Sequence, residues 1–277
     1  MQTTTLINGA PQDKLSVADR GLHYGDGLFE TIAVVTGQPS YWQQHLARLI
    51  LGCQRLKFPV IDIDQLTAEA KQILAEKKSG VLKIILTRGH GKRGYQPEKR
   101  PNLNHILLFY PNTEVMPAAQ AESGVKLTIC QTPIVKNPLL SGIKHLNRLE
   151  QVLASAEWSD KNIYDGLMLY QQEYAVCGTK TNLFIVKDGI LITDPLIEYG
   201  INGVMRAEII EQAKASAIPI ELRPLTLDEC LSADEVFISN SLIGIYPVTA
   251  IVKHTYAIGK ITKTLQTLIA SRQCLGF

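Results

Sequence analysis

Three cations stand among glycines in RGHGKRGY, residues 88–95, where Arg88, Lys92 and Arg93 could receive carboxylates on a loop too polar to be core. Of these, Arg93 is better placed for a substrate than Arg88, and Lys92 reads as a solvated group. Lys144 has a different setting. It follows the apolar PLLSGI and precedes a run with helical spacing, so desolvation there would lower an ammonium pKa and supply the neutral amine that imine chemistry requires. Farther on, Gly203 opens GVMRAEIIEQAKASA, a predicted helix whose first amides and dipole favour an anion. Residues that would point to other chemistries are scattered. No nucleophile elbow collects Ser, His and Asp, the six histidines fall in separate segments, and no metal-ligand spacing occurs. Taken singly, these side chains define no reaction.

The elements that must position them alternate strand and helix. Asn-Gly in LINGAPQ and Thr-Gly in LFETIAVVTGQPSYW signal opening hairpins. Leu46, Leu49, Ile50, Cys53 and Leu56 recur at spacings of three and four and predict one helix, and a second is expected over residues 64–77. Strands at VLKIILTR and HILLFY flank the basic loop. Residues 111–124, PNTEVMPAAQAESG, hold two prolines and few large apolar groups, which predicts a linker between a small domain, 1–110, and a larger one, 125–277. In the larger part, VKLTIC, GLMLY, YAVCGT, NLFIVK, ILIT, IPIEL and EVFIS read as strands, while HLNRLEQVLASAEW, GVMRAEIIEQAKASA and ITKTLQTLIASR read as helices. The pattern is α+β.

Composition narrows the partners. With 28 basic and 26 acidic residues in 277, the net charge of +2 gives no electrostatic ground for binding nucleic acid or an anionic membrane, so a small-molecule substrate is expected. The five cysteines, Cys53, Cys130, Cys177, Cys230 and Cys274, are odd in number and form no CxxC pair, which argues for a reducing compartment. No apolar run approaches the roughly 18 residues of a spanning helix, and the start MQTTT lacks the features of a signal peptide, so a cytoplasmic location is expected.

Five segments, in order and across nearly the whole chain, resemble the fold-type IV enzymes that use pyridoxal 5'-phosphate (PLP), the family of branched-chain and D-amino acid aminotransferases and aminodeoxychorismate lyase. SVADRGLHYGDGLFET, residues 16–31, is similar to the family's opening segment, with turns at Gly25 and Gly27 and with Thr31 in reach of a substrate. HLARL sets Arg48 where the family's arginine grips the cofactor phosphate in a fork. RGHGKRGY resembles the lyase subgroup's loop over the active site. GIKHLNRLEQVL, residues 142–153, is the most specific segment and makes Lys144 the lysine that bonds the cofactor, with Asn147 and Arg148 one turn on. YGINGVMR matches the turn that offers the phosphate the amides of Val204 and Met205, and FISNSLIGIYPV sets Ser241 where a hydroxyl closes the phosphate cup.

The resemblance implies a two-domain fold-type IV enzyme, with a small N-terminal α/β domain and a larger mixed-sheet domain, PLP as cofactor, and a homodimer. KHLNRLEQV and RGHGKRGY point within the family to the lyase subgroup, hence to an elimination on 4-amino-4-deoxychorismate that gives 4-aminobenzoate and pyruvate in folate biosynthesis. Lys144 would act as base, Arg93 would hold a substrate carboxylate, and Arg88 and Thr31 are the further substrate candidates. A D-amino acid aminotransferase, or a PLP-binding protein with weak catalysis, are the alternatives. One position departs from the family. The pattern VTEGxxxNLF carries a glutamate facing the pyridine nitrogen, but YAVCGTKTNLF has Cys177 there. A thiol, with an ordinary pKa of about 8.5, is a weak donor and a poor permanent anion, so the ring becomes a weaker electron sink. An elimination that ends in an aromatic ring tolerates this better than transamination does. Glu173 lies in a predicted hairpin turn and is no replacement.

Overall fold

The computed structural model describes residues 3–77, 79–111, 113–271 and 276–277, arranged as two units. The first unit holds the chain up to Val115, the segment Ile143–Asn147 and the last two residues. Its elements are β1 (Thr4–Ile7), β2 (Ala10–Pro11), α1 (Arg20–Tyr24), β3 (Gly27–Val35), β4 (Gln38–Pro39), α2 (Trp42–Arg55), α3 (Ile63–Leu74), β5 (Gly80–Thr87) and β6 (Asn104–Pro111). The strands form an antiparallel sheet in the order β2-β1-β6-β5-β3-β4. Strand side chains alternate between faces, and β3 shows the consequence. Leu28, Glu30, Ile32 and Val34 are buried on the face that receives α2, while Phe29 and Thr31 occupy the opposite face. The apolar stripe of α2 buries Leu46, Leu49 and Cys53 as its spacing predicts. α3 begins earlier than expected because Asp62 caps it, its carboxylate accepting from the Gln65 amide at 2.9 Å. It also ends sooner, at Leu74, where Ala75 turns to ψ 129°.

The second unit contains α4 (Ala118–Ser123), β7 (Val125–Ile129), α5 (Leu149–Ser155), β8 (Ile163–Tyr170), β9 (Tyr174–Gly178), β10 (Asn182–Lys187), β11 (Ile190–Thr193), α6 (Val204–Ala215), β12 (Ile220–Leu222), α7 (Leu227–Leu231), β13 (Glu235–Asn240), β14 (Gly244–Ile251), β15 (His254–Thr255) and α8 (Lys260–Ser271). Its mixed sheet runs β12-β11-β10-β13-β14-β7-β8-β9, and pairing of Cys177 on β9 with Asn182 on β10 closes six of the strands into a ring. Leu127, Leu167, Leu183, Ile185, Ile238 and Val248 belong to the core of this unit. The stretch expected as a linker carries the short helix α4. The helix expected over residues 145–158 is confined to α5, because the residues before it are extended and bonded to β3. Among the described residues no helix is long and apolar enough to cross a membrane.

Candidate active site

Lys144 is fixed by its backbone. The Phe29 amide donates to the Lys144 carbonyl at 2.9 Å, the Leu146 amide donates to the Gly27 carbonyl at 3.0 Å, and His145 bridges Leu28. His145 thus shares the face of Leu28, and Lys144 falls on the opposite face, its ammonium 4.3 Å from the centre of the Phe29 ring. Asn147 donates to the Gly25 carbonyl at 3.1 Å. Gly25 has φ 62°, and a β-carbon there would lie 2.8 Å from Asn147 Oδ1, so the glycine is required twice over.

Behind β3, Glu30 gathers two residues of α2. Arg48 Nε donates to Glu30 Oε1 at 2.8 Å, a second Arg48 nitrogen meets Oε2, and His45 Nδ1 lies 2.6 Å from Oε2. Burial alone would raise the Glu30 carboxyl, but the charge and hydrogen bonds of Arg48, helped by His45, hold it down at about 2. The His45 imidazole is also lowered, by burial first and by the charges of Arg48 and Lys144, against the pull of Glu30. Both groups take up protons more readily in the unfolded chain, so acid weakens the fold. The part due to Glu30 is intact above its unfolded pKa of 4.5 and is lost as pH falls toward about 2. Urea titrations at pH 5 and pH 3 should show Glu30→Gln losing less stability on acidification than the parent, by roughly 1 to 2 kcal/mol.

The basic loop is stapled to the segment ahead of β3. Asp26 Oδ2 accepts from both Arg20 Nε and Arg88 Nε at 2.8 Å. Arg20 then donates to the carbonyls of Gly94 at 3.0 Å and Tyr95 at 2.7 Å, and Tyr24 packs against Tyr95. Arg88 is buried, donates to the carbonyls of Leu56 and Lys57, and stacks 4.1 Å over Phe58. Lys92 and Arg93 are exposed on the same loop. Thr31 is half-buried, directly across from Lys83.

In the second unit, Gly203 precedes α6 and provides no side-chain cap, so the first turn, with Val204 and Met205, has no acceptor from that residue. A β-carbon on Gly203 would come within 2.1 Å of Asn182 Oδ1. Asn182 donates to the Ile201 carbonyl at 2.9 Å and pairs across the sheet with Ser239, whose buried hydroxyl has no partner among the described residues. Ser241 follows in a turn built by Asn240, whose side-chain oxygen accepts from the Leu242 and Ile243 amides. Cys177 is the next-to-last residue of β9, close to a turn organised by the buried Asp165, which accepts from Thr179 and Thr181. Burial, with a smaller push from Asp165 and against the pull of Arg148, raises the Cys177 thiol to about 12. The group is a neutral thiol near pH 7. The charge of Arg148 acts on it, and Arg148 is itself lowered by burial.

The sequence reading did not single out Glu30, His45, Arg20, Asp26, Asp165 or Ser239. A signal was present for the first two: Glu30 interrupts the apolar series Leu28, Ile32, Val34, and His45 and Arg48 stand three apart on one helix.

The profile of the amino-transferase class IV family matches residues 27–251. Aminodeoxychorismate lyase of Vibrio harveyi is 36% identical over 266 residues, covering 94% of this chain and 97% of that relative. The crystal structure of 4-amino-4-deoxychorismate lyase from Pseudomonas aeruginosa aligns with a TM-score of 0.92 at 44% identity, covering 96% of this chain and 98% of that one. D-alanine aminotransferase of Bacillus licheniformis is 26% identical over 277 residues, with 95% of each chain covered.

Proposed function

The chain belongs to the amino-transferase class IV family, and from that premise we propose that it is a PLP-dependent lyase that converts 4-amino-4-deoxychorismate to 4-aminobenzoate and pyruvate, a step of folate biosynthesis. Its architecture is α+β, of fold type IV. The observation that carries the reading is the likeness, at 44% identity over almost the whole chain, to a lyase of that name.

The donors present suit a phosphate. An α6 N-terminus without a side-chain cap, a buried hydroxyl at Ser239 with no partner among the described residues, and a glycine whose β-carbon would collide with Asn182 are brought together in the second unit through Asn182. In this reading Val204 and Met205 give amides to that phosphate and Ser241 and Arg48 complete its grip, Arg48 being oriented by Glu30. When bound, PLP supplies an aldehyde and a ring that draws electrons from the amine-bearing carbon. Lys144 would hold the aldehyde carbon at rest and, once the substrate amine takes its place there and frees its own nitrogen, would remove the proton from the substrate carbon and return one to the leaving oxygen. Arg93 holds a substrate carboxylate, with Thr31 in reach. Arg88, engaged with Asp26 and two carbonyls, serves as the anchor of the loop instead.

Cys177 favours elimination over the transamination of D-amino acids. A neutral thiol cannot keep the ring nitrogen protonated as a carboxylate does, and the aromatic product makes that protonation less important to a lyase. Cys177→Glu should therefore raise the ratio of D-alanine transamination to elimination by roughly tenfold, the equivalent of about one pKa unit at that nitrogen; an unchanged ratio rejects this role for the thiol. The functional assignment itself is tested by product analysis. Equal amounts of 4-aminobenzoate and pyruvate support it, whereas rapid use of 2-oxoglutarate with D-alanine and no 4-aminobenzoate overturns it.

We also read the protein as a homodimer. On α5, Leu149, Val152 and Leu153 are exposed at helical spacing, and Val135 and Leu139 lie exposed on a stretch joined to that helix by the Val135–Glu150 bond, which makes an apolar patch suited to a second copy. The buried, unpaired thiols of Cys53, Cys130, Cys177 and Cys230 suit the reducing conditions of a cytoplasm.

A further inference from the structure

Residues 92–100 form the tip of the basic loop, exposed along its whole length and without helix or strand. The two limbs that carry the tip are fixed independently of it. On one limb the Arg20 amide donates to the Gly89 carbonyl at 2.9 Å, the Gly91 amide donates to the Ala18 carbonyl at 3.3 Å, and Arg88 is tied to Asp26, Leu56 and Lys57. On the other, Asn104 donates to the buried Asp19 at 2.7 Å as β6 begins. Among the described residues, the hydrogen bonds that tie the tip itself to the rest of the first unit all run to α1. Arg20 donates to the carbonyls of Gly94 and Tyr95, the Gly94 amide donates to the Tyr24 hydroxyl at 3.3 Å, and the Tyr24 ring lies 5.4 Å from that of Tyr95.

An exposed loop has many conformations, and holding one of them in advance removes an ordering cost that substrate binding would otherwise carry. Arg93 stands immediately before the two carbonyls that Arg20 grips, so the guanidinium fork of a buried residue fixes the backbone beside an exposed one. The Arg20 side chain is itself constrained. Asp26 accepts from it at 2.8 Å, its guanidinium carbon lies 4.9 Å over the Tyr24 ring, and a β-carbon on Gly91 would meet its Cδ at 2.7 Å. We propose that Arg20 is a positioning residue, which sets Arg93 for a substrate carboxylate by clamping the main chain that follows it. The inference rests on the lyase reading and on the role given there to Arg93.

Loss of the fork leaves Asp26 with Arg88 as partner at 2.8 Å, so no buried carboxylate is stranded. Arg20→Lys keeps a cation for Asp26 but cannot span two carbonyls as well, and it tests the role even where Arg20→Met is unstable. In the holoenzyme either change should raise KM for 4-amino-4-deoxychorismate about tenfold with kcat little changed, the pattern of lost binding that ground and transition states share. Arg93→Met should raise KM about 10- to 100-fold. Adding Arg20→Lys to it should raise KM no further, because the position that Arg20 sets no longer carries a charge. Trypsin should cleave after Lys92 and Arg93 roughly fivefold faster in Arg20→Lys than in the parent, at the same thermal midpoint. An unchanged KM or unchanged cleavage in Arg20→Lys, or a rise in KM that adds in full to that of Arg93→Met, overturns the inference. If Arg93→Met keeps the parental KM, Arg93 leaves the substrate site and this inference goes with it; if the parent makes no 4-aminobenzoate, the lyase reading itself fails.

Discussion

Lys144→Ala is expected to lower turnover by at least about a thousandfold while leaving the protein folded. The size follows from the two tasks assigned to one amine, covalent attachment and proton transfer, since general acid-base catalysis alone contributes about 10²- to 10⁴-fold. The fold should tolerate the change because the anchoring bonds of this segment are made by backbone atoms. The Phe29 amide reaches the Lys144 carbonyl and the Leu146 amide reaches the Gly27 carbonyl whatever side chain follows. The visible absorption of the bound cofactor should shift or vanish, and an unchanged thermal midpoint would separate lost chemistry from lost structure. Retention of parental turnover would exclude Lys144 from both tasks.

Arg48→Met should act on stability and on cofactor affinity together. The guanidinium neutralises a buried carboxylate, and removal of one partner of such a pair leaves an uncompensated charge, at a cost of about 3 kcal/mol. Part of this is recovered if Glu30 protonates, so the loss should be larger at pH 8 than at pH 5, opposite to the usual effect of acid. Glu30→Gln in the Arg48→Met background should restore much of the stability but none of the PLP affinity, because only the arginine is assigned to the phosphate. Equal PLP affinity in parent and Arg48→Met would remove Arg48 from the cofactor site and leave it as the partner of Glu30.

Legibility in the sequence followed the range of the interactions. Helix α2, strands β5 and β6 and most strands of the second unit declare themselves in periodic apolar residues, because each buries a face set by its own local repeat. The stretch around Lys144 does not. HLNRLEQVL has helical spacing, yet its first residues are held extended by hydrogen bonds to β3, far upstream in the chain. A local pattern cannot report a partner that distant. The polar networks were hidden for the same reason. Asp26 joins Arg20 to Arg88, and Asp165 builds the turn after Cys177, each through contacts made only when separate strands come together. Arg88 read as a ligand because its charge was visible in the sequence while its two carbonyl acceptors, Leu56 and Lys57, were not.

The identity of the lysine that holds the cofactor is the most direct test of the central claim. Borohydride treatment of the PLP-loaded protein fixes the cofactor to the lysine that holds it, and peptide mass mapping then identifies that lysine. The added mass is expected on the peptide containing Lys144 and absent from the one containing Lys83. Modification of Lys83, or labelling spread over exposed lysines with Lys144 unmodified, would contradict the account.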